Sequence, residues 1–473
     1  MGAPRVGRRT VLRAAALLVL AGCAAGDPFT LGVASGDPTP DGVLLWTRLA
    51  TDPLAPDGLG GLGARRTDVQ WQLAEDDRFA RVVASGTATT GPERGHAVHV
   101  EVAGLSAGRE YFYRFRAGGA LSPAGRTRTT PAPGSLTPLT VCVASCAQYE
   151  HGYYTAYRHL AQDAPDLVLH LGDYIYEEAP GAYRVASGSV RLHTGGEART
   201  LADYRVRHAQ YRSDPDLQAA HAAAPWLAVY DDHEVADDWA GDRPAVPDPG
   251  FAARRTAGLQ AYRENLPLRP SSVLYRRMGW GALATVHLLD TRRYRTPGDL
   301  LGPAQERWLT DGLAASSARW DVLAQQVFFA RLAEPSRTGN PDAWDGFPAS
   351  RDRIADALAG VRNAVILTGD VHSCRAADVH RRWDVPAPVV ASEIVTTSIS
   401  SGGDGSDVPP SWLHLNPHLR YFADRRGYVR TRFTPTEVRV EFRTLPYVSR
   451  PGAPVATAAT FAVADGRPGL RPA

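Results

Sequence analysis

The chain contains no lysine: all 52 of its basic residues are arginine, against 50 acidic ones, and the formal net charge is only +2. A balance this close excludes the broad basic field needed to hold nucleic acid, and gives no general attraction to acidic partners. The missing lysine is accounted for by GC-rich codon usage rather than by an arginine-specific function. Cysteine is scarce too. Four in 473 residues are too few for a disulfide framework. Beyond the N-terminus no run approaches the roughly 18 apolar residues that crossing a bilayer requires. What remains is ordinary globular composition, 44% hydrophobic and 22% charged. A chain of 473 residues is too long for one core, so two domains are expected.

Residues 1–26 read as an export signal. Arg8-Arg9-Thr10-Val11-Leu12-Arg13 places twin arginines ahead of an apolar run from Ala14 to Ala21. That run is too short to span a membrane and carries a charged flank. The pattern resembles a twin-arginine (Tat) signal, an address read by the export machinery rather than an anchor. Tat substrates cross already folded, so a cofactor could be loaded before export. Leu20-Ala21-Gly22-Cys23 resembles a lipobox, which would make Cys23 a lipidated first residue of the mature chain; the alternative is a small-residue cleavage region that happens to hold a cysteine. The expected location is extracellular or on the cell surface.

Residues 27–133 show short strands and turns. Val43–Arg48 follows the turn residues Gly36-Asp37-Pro38, while Asp68–Leu73 and His96–Val102 alternate with period two. Glu110–Arg116 carries several aromatics. Strands at this spacing indicate a small all-β sandwich of immunoglobulin/fibronectin-like type. Pro131-Ala132-Pro133-Gly134-Ser135 reads as a linker.

Residues 134–473 change character. Leu139–Ala144 and Asp166–Leu171 are apolar runs suited to strands buried on both faces, and Tyr154–Gln162 between them has helical periodicity. Trp226–Tyr230, Ala284–Leu289 and Ala364–Thr368 fit the same plan. This strand-helix-strand alternation predicts a layered α/β domain. Such sheets bind ligands outside the carboxyl ends of their strands. Those ends carry, in order, Ser145-Cys146, Gly172-Asp173-Tyr174-Ile175-Tyr176-Glu177, Asp231-Asp232-His233-Glu234, Asp290-Thr291-Arg292 and Gly369-Asp370-Val371-His372. Taken singly, such a histidine is more often a structural hydrogen-bonder and such an aspartate a turn or cap residue. Five in series along one rim predict a metal site.

The order and spacing resemble calcineurin-like metallophosphoesterases in altered form. Those enzymes carry Asp-x-His, Gly-Asp-x-x-Asp or -Tyr, Gly-Asn-His-Glu and Gly-His-x-His at successive strand ends. Here Gly-Asp-Tyr-Ile-Tyr, Asp-Asp-His-Glu and Gly-Asp-Val-His fill the last three slots, and Ser-Cys stands in the first. These departures resemble the PhoD-like alkaline phosphatases, as do Phe29–Pro38, Thr397–Gly403 and Arg426–Arg430. The resemblance implies a layered metallophosphoesterase sandwich behind the small β domain. It also implies hydrolysis of phosphate esters with Fe³⁺ and Ca²⁺.

Chemistry agrees with the resemblance. Phosphate esters are anionic, and cations neutralise their oxygens, lower the pKa of a bound water and align nucleophile with leaving group. Cys146, Asp173, Tyr176, Asp232, Asp370 and His372 are the expected metal ligands, with Asp173 able to bridge two cations. A tyrosine ligand with a thiolate suits Fe³⁺ better than Zn²⁺, and the aspartates suit a hard cation such as Ca²⁺ or Mg²⁺. Asp231 is a further ligand candidate, or else orients its loop. His233 matches the histidine that touches substrate and is assigned to transition-state stabilisation or leaving-group protonation. Arg292 is either a phosphate clamp or the partner of Asp290 or another neighbouring acid. Cys142 and Cys146 would stand about 13 Å apart on an extended strand, beyond the ~7 Å reach of a disulfide. Cys142 is therefore expected in the core, and Cys374 to be free, buried or paired with Cys142. A monomer is expected. A phospholipase or nucleotide phosphodiesterase would need the same ligands; a protein binding a surface polymer through its β domain would need none.

Overall fold

Short apolar runs form the centre of the molecule. The computed structural model describes residues 26–473 apart from Ser187, Ser272 and Ser336. Leu139–Ala144, Leu167–Leu171 and Trp226–Val229 lie side by side as parallel strands. Nearly every residue in them is buried, which is why they lack polar alternation. They form the middle of a ten-stranded sheet. On one side Arg426–Phe433, Glu437–Leu445, Ala456–Ala464 and Arg467–Pro472 extend it as an antiparallel meander. On the other it continues into Val33–Thr39, Gly42–Arg48 and Ala97–Ala103.

A second sheet has seven strands. Its central four, Ala284–Leu288, Trp320–Gln325, Ala364–Thr368 and Val389–Val395, are parallel. The two sheets pack face to face: Val141, Leu169 and Leu227 from the first share a core with Val286, Val322 and Leu367 from the second. Helices Thr155–Gln162, Leu201–Arg212, Pro215–Ala223 and Phe251–Asn265 cover the outer face of the first sheet. Gly302–Ala314 and Pro348–Leu358 cover the second. The result is a four-layer α/β/β/α sandwich. The strand ends singled out by sequence thus belong to two facing sheets, which converge on one rim; the strand Trp320–Gln325 between them is not evident from sequence.

The all-β part in front is a sandwich, with a continuity that sequence hides. One of its layers is a separate sheet built mainly of Val82–Thr90, Thr67–Ala74 and Glu110–Ala117. The other is the end of the ten-stranded sheet, so Val33, Val43 and Leu45 pack against Val69, Leu73 and Phe115. The joint is the parallel pairing of Gly36 with Trp226. A side chain at Gly36 would sit 2.2 Å from the Pro267 carbonyl oxygen and 2.8 Å from that of Trp226, so glycine permits the join.

Cys142, Cys146 and Cys374 are all buried free thiols. Cys142 lies in the core as expected, and no Cys142–Cys374 bridge forms. The twin arginines and Cys23 lie outside the described residues. No described helix is long and apolar enough to cross a membrane.

Candidate metal centre

Three of the parallel strands, Leu139–Ala144, Leu167–Leu171 and Ala364–Thr368, are followed by a backbone kink at a residue singled out by sequence. Cys146, Asp173, Asp370 and His372 have φ of 58°, 54°, 64° and 50°, four of the nine non-glycine residues at positive φ among those described. The left-handed region costs an ordinary residue on the order of 1–3 kcal/mol. Such strain survives only where the surroundings impose it, and it clusters at functional sites. Gly172, just before Asp173, has φ of 99°, and a Cβ there would lie 2.4 Å from that of Asp231. Glycine therefore lets two site-bearing strand ends close together.

The ligand atoms fall into overlapping groups. Those of Cys146, Asp173 and His372 lie within 4.8 Å of one another, as do those of Asp173, Asp232 and His233. Asp173 belongs to both. The Tyr176 hydroxyl joins the first group, donating to Asp173 Oδ2 at 2.9 Å and lying 3.2 Å from His372 Nε2. Asp173 Oδ1 is buried with no hydrogen-bond partner, as is Asp231 Oδ2. A buried carboxylate oxygen without a donor is costly, and a cation is the natural counterpart. Asp232 makes a more exposed group with Asp237 and Asp238. Asp231 and Asp370 enter none of these groups. Asp231 Oδ1 accepts from Arg292 Nε, and Asp370 feels the charges of Asp231, Asp342 and Arg292.

The electrostatics of the site favour a cation. Burial, then the charge of Asp232, pushes Asp173 well above the usual carboxylate range. Burial and Asp231 do the same to Asp370. The Cys146 thiol and the Tyr176 phenol are pushed up by burial and then by Asp173. A bound cation would favour the ionised form of each. Burial and the Arg426 charge take His372 down to about 3, leaving the neutral imidazole that a metal requires. The donor set of thiol, phenol, imidazole and carboxylates fits a metal centre, and the second group that shares Asp173 leaves room for more than one cation.

Arg292 is fully buried. Its Nε donates to Asp231, its Nη1 to Asp342 at 2.8 Å, and its Nη2 lies 3.5 Å from Asp232. Its guanidinium is thus aimed at three carboxylates, with Asp290 accepting only from its backbone N–H. It holds Asp232 below the usual carboxylate range despite burial. Tyr176 and Tyr183 flank His233, with ring centroids 4.1 and 6.2 Å from it.

Several supporting residues lie outside the sequence-based candidates. Glu234 accepts the backbone N–H groups of Asp173, Tyr174 and Asp231 at 3.2, 2.6 and 2.8 Å, fixing two loops with one carboxylate. Ser401 Oγ is 2.8 Å from the Tyr176 hydroxyl and 2.8 Å from the Cys146 carbonyl. Glu177 Oε2 lies 2.8 Å from His233 Nδ1. Glu177 and Glu234 stand inside the strand-end segments themselves, and their adjacency to Tyr176 and His233 was the available signal. Burial disfavours a charged His233, but Asp232, Glu177 and Asp173 outweigh it and hold the ring well above the ordinary histidine value. Cations on Asp173 and Asp232 would cancel much of that pull, leaving Glu177 to fix the tautomer with Nε2 facing the site. Glu177→Gln is expected to lower kcat about tenfold, less than the hundredfold or more that general acid catalysis contributes, because His233 itself remains. Metal content should stay intact, and the pH–rate profile should shift. Steady-state kinetics across pH with elemental analysis checks this; unchanged kinetics would reduce Glu177 to a packing residue.

Comparison with known proteins agrees with this geometry. The family model for the PhoD-like phosphatase matches residues 141–442, and that for the PhoD-like phosphatase N-terminal domain matches residues 16–131. Alkaline phosphatase D of Bacillus subtilis (strain 168) is 46% identical over 484 residues, covering 94% of this chain and 82% of that one. A solved structure of PhoD superposes with a TM-score of 0.91 at 45% identity, covering 94% of this chain and 92% of the other. A purple acid phosphatase from yellow lupin (Lupinus luteus) seeds shares the fold alone, with a TM-score of 0.60 at 13% identity over 91% of this chain and 74% of its own. With both models matched in order and a convergent donor set on the rim, this chain belongs to the PhoD-like phosphatase family.

Proposed function

We propose that this PhoD-like phosphatase is an exported alkaline phosphatase or phosphodiesterase whose site holds Fe³⁺ and Ca²⁺. The observation that carries the reading is Asp173, shared by two groups of ligand atoms and left with a buried oxygen that nothing else satisfies. Cys146, Asp173, Tyr176 and His372 would hold the iron. Asp173, Asp232 and Asp370 would offer oxygen to calcium, with Asp231 as a further donor through its free Oδ2. Bound there, the cations neutralise the phosphoryl oxygens and activate the attacking water.

The chain's own residues do the rest. Glu234 holds the Asp173 and Asp231 loops at fixed separation. Arg292 keeps Asp232 ionised and orients both Asp231 and Asp232, acting through them. Glu177 holds the ring of His233 through Nδ1, and His233 would donate from Nε2 to the phosphoryl group or to the departing oxygen. Export through the Tat machinery, with lipid anchoring through Cys23, is supported by Arg8-Arg9 and Leu20–Cys23. Hydrolysis of mono- and diester model substrates, run with elemental analysis of the purified protein, tests the reading. Neither iron nor hydrolysis would end it.

Cys146→Ala separates ligand from packing. A thiolate ligand, when lost, should take iron and any visible charge-transfer band with it. A merely buried cysteine should cost stability and leave iron content and colour unchanged. The second result would remove Cys146 from the site.

A further inference from the structure

Donors at this site are almost all engaged. Arg292 faces three carboxylates. Arg426 donates to the carbonyls of His372 and Ser401 and to Asp424. Arg207 donates to the carbonyls of Tyr176, Glu178 and Gly196. His151 uses both ring nitrogens, Nε2 to the Tyr183 carbonyl at 3.0 Å and Nδ1 from the Gly402 N–H at 3.2 Å. A phosphoryl group in its transition state carries charge on several oxygens, and fixed donors aimed at them lower the barrier. His233 Nε2, 3.7 Å from Asp237 Oδ1, and the hydroxyl of Tyr183 are site groups without a hydrogen-bond partner, alongside the buried Arg292 Nη2, which faces Asp232 at 3.5 Å, and the buried Ser145 Oγ.

Tyr183 is held in place from three sides. Its ring centroid lies 4.8 Å from that of His151, 6.0 Å from Tyr176 and 6.2 Å from His233. Its carbonyl is fixed by His151. Its loop is clamped by the fully buried Glu150, which accepts the Gly181 N–H at 2.9 Å and the His193 N–H at 2.8 Å. A carboxylate buried to shape a surface loop is costly unless the loop has work to do, and here it fixes a phenol beside the metal ligands. Its neighbours include Asp173 and Cys146, whose charges it feels.

We propose that Tyr183 is a further catalytic residue, its hydroxyl donating a hydrogen bond to a phosphoryl oxygen of the ester. The proposal rests on the phosphoesterase reading above. The role is one of binding and charge stabilisation, with no proton leaving the phenol.

The test is Tyr183→Phe in the full metal-loaded enzyme. Phenylalanine keeps the ring stack and deletes only the oxygen. The expected result is a fall in kcat/KM of about tenfold on mono- and diester model substrates, the scale of one hydrogen bond to a charged group. Inhibition by inorganic phosphate should weaken in parallel, while iron content and unfolding temperature stay those of the wild type. Kinetics and phosphate inhibition indistinguishable from wild type would overturn the proposal. So would a loss of activity that tracks loss of metal, since the residue would then act through packing on Tyr176. If the wild type itself hydrolysed no ester, the underlying reading would fall. Phosphate affinity of the two metal-loaded proteins, by calorimetry, would still decide whether the hydroxyl touches phosphate.

Discussion

Asp173→Asn should leave a folded protein that is depleted of metal and nearly inactive. Asparagine keeps the size of the side chain and one oxygen, but loses the charge and the second ligating oxygen. Asp173 stands in both ligand groups, so both cations should weaken together, where loss of a ligand to one metal would weaken only one. Metal ions contribute several kcal/mol of transition-state stabilisation, so the fall in kcat should reach about a thousandfold or more. The backbone should tolerate the change. Asparagine is among the residues most at home at positive φ, and Asp173 sits at 54°. Its side-chain oxygen can still accept from the Tyr176 hydroxyl. Without metal the variant should be no less stable than wild type, since it removes a buried carboxylate whose partner is missing. Metal stoichiometry, turnover and thermal unfolding on one sample check all three points. Normal metal content with near-normal turnover would reduce Asp173 to a turn residue.

The strand ends were legible because burial on both faces leaves a distinctive apolar run, and the polar residues after it stand out. That pattern singled out Cys146, Asp173, Asp232 and His372, and the fold brings their ligand atoms into overlapping groups. What sequence hides is pairing between distant segments. Nothing local marks Gly36 as the partner of Trp226, so the front β-sandwich reads as separate when one of its layers continues the central sheet. Trp320–Gln325 was missed for a related reason: it carries no polar ligand at its end, so nothing drew attention to a second parallel sheet. The supporting residues follow the same logic. Arg292 reads equally as a clamp or an ion-pair partner from sequence, and only the fold brings Asp342 from fifty positions away to its guanidinium. Tyr183 and Glu150 have no motif at all; only the fold brings the Tyr183 ring against His151, Tyr176 and His233 and sets Glu150 on the Gly181 and His193 N–H groups.

Stripping the metals should abolish hydrolysis and make stability strongly dependent on pH. No alternative nucleophile stands out among the described residues, so a chelated sample shown metal-free by elemental analysis should have no activity, and adding the ions back should restore it. The stability change follows from the carboxylates left behind. In the metal-free site burial, together with the charge of Asp231, raises Glu234 to about 8 despite its backbone donors. Burial raises Asp231 to about 6, against the pull of Arg292. Asp173 and Asp370 are displaced in the same direction. An acid whose folded pKa lies above its unfolded value binds more protons when native, so its contribution is fully present below the unfolded value and is lost as pH rises through the folded one. With unfolded values near 4, the metal-free protein should therefore lose stability progressively from about pH 4 to about pH 8. Loaded protein should escape that loss, because its carboxylates are already ionised against cations. The gap in unfolding temperature between loaded and stripped samples should thus widen from pH 5 to pH 8. Thermal unfolding of both forms across that range measures it. A constant gap would mean that these carboxylates do not face the metals, and full activity in the stripped sample would refute metal-dependent chemistry at this rim.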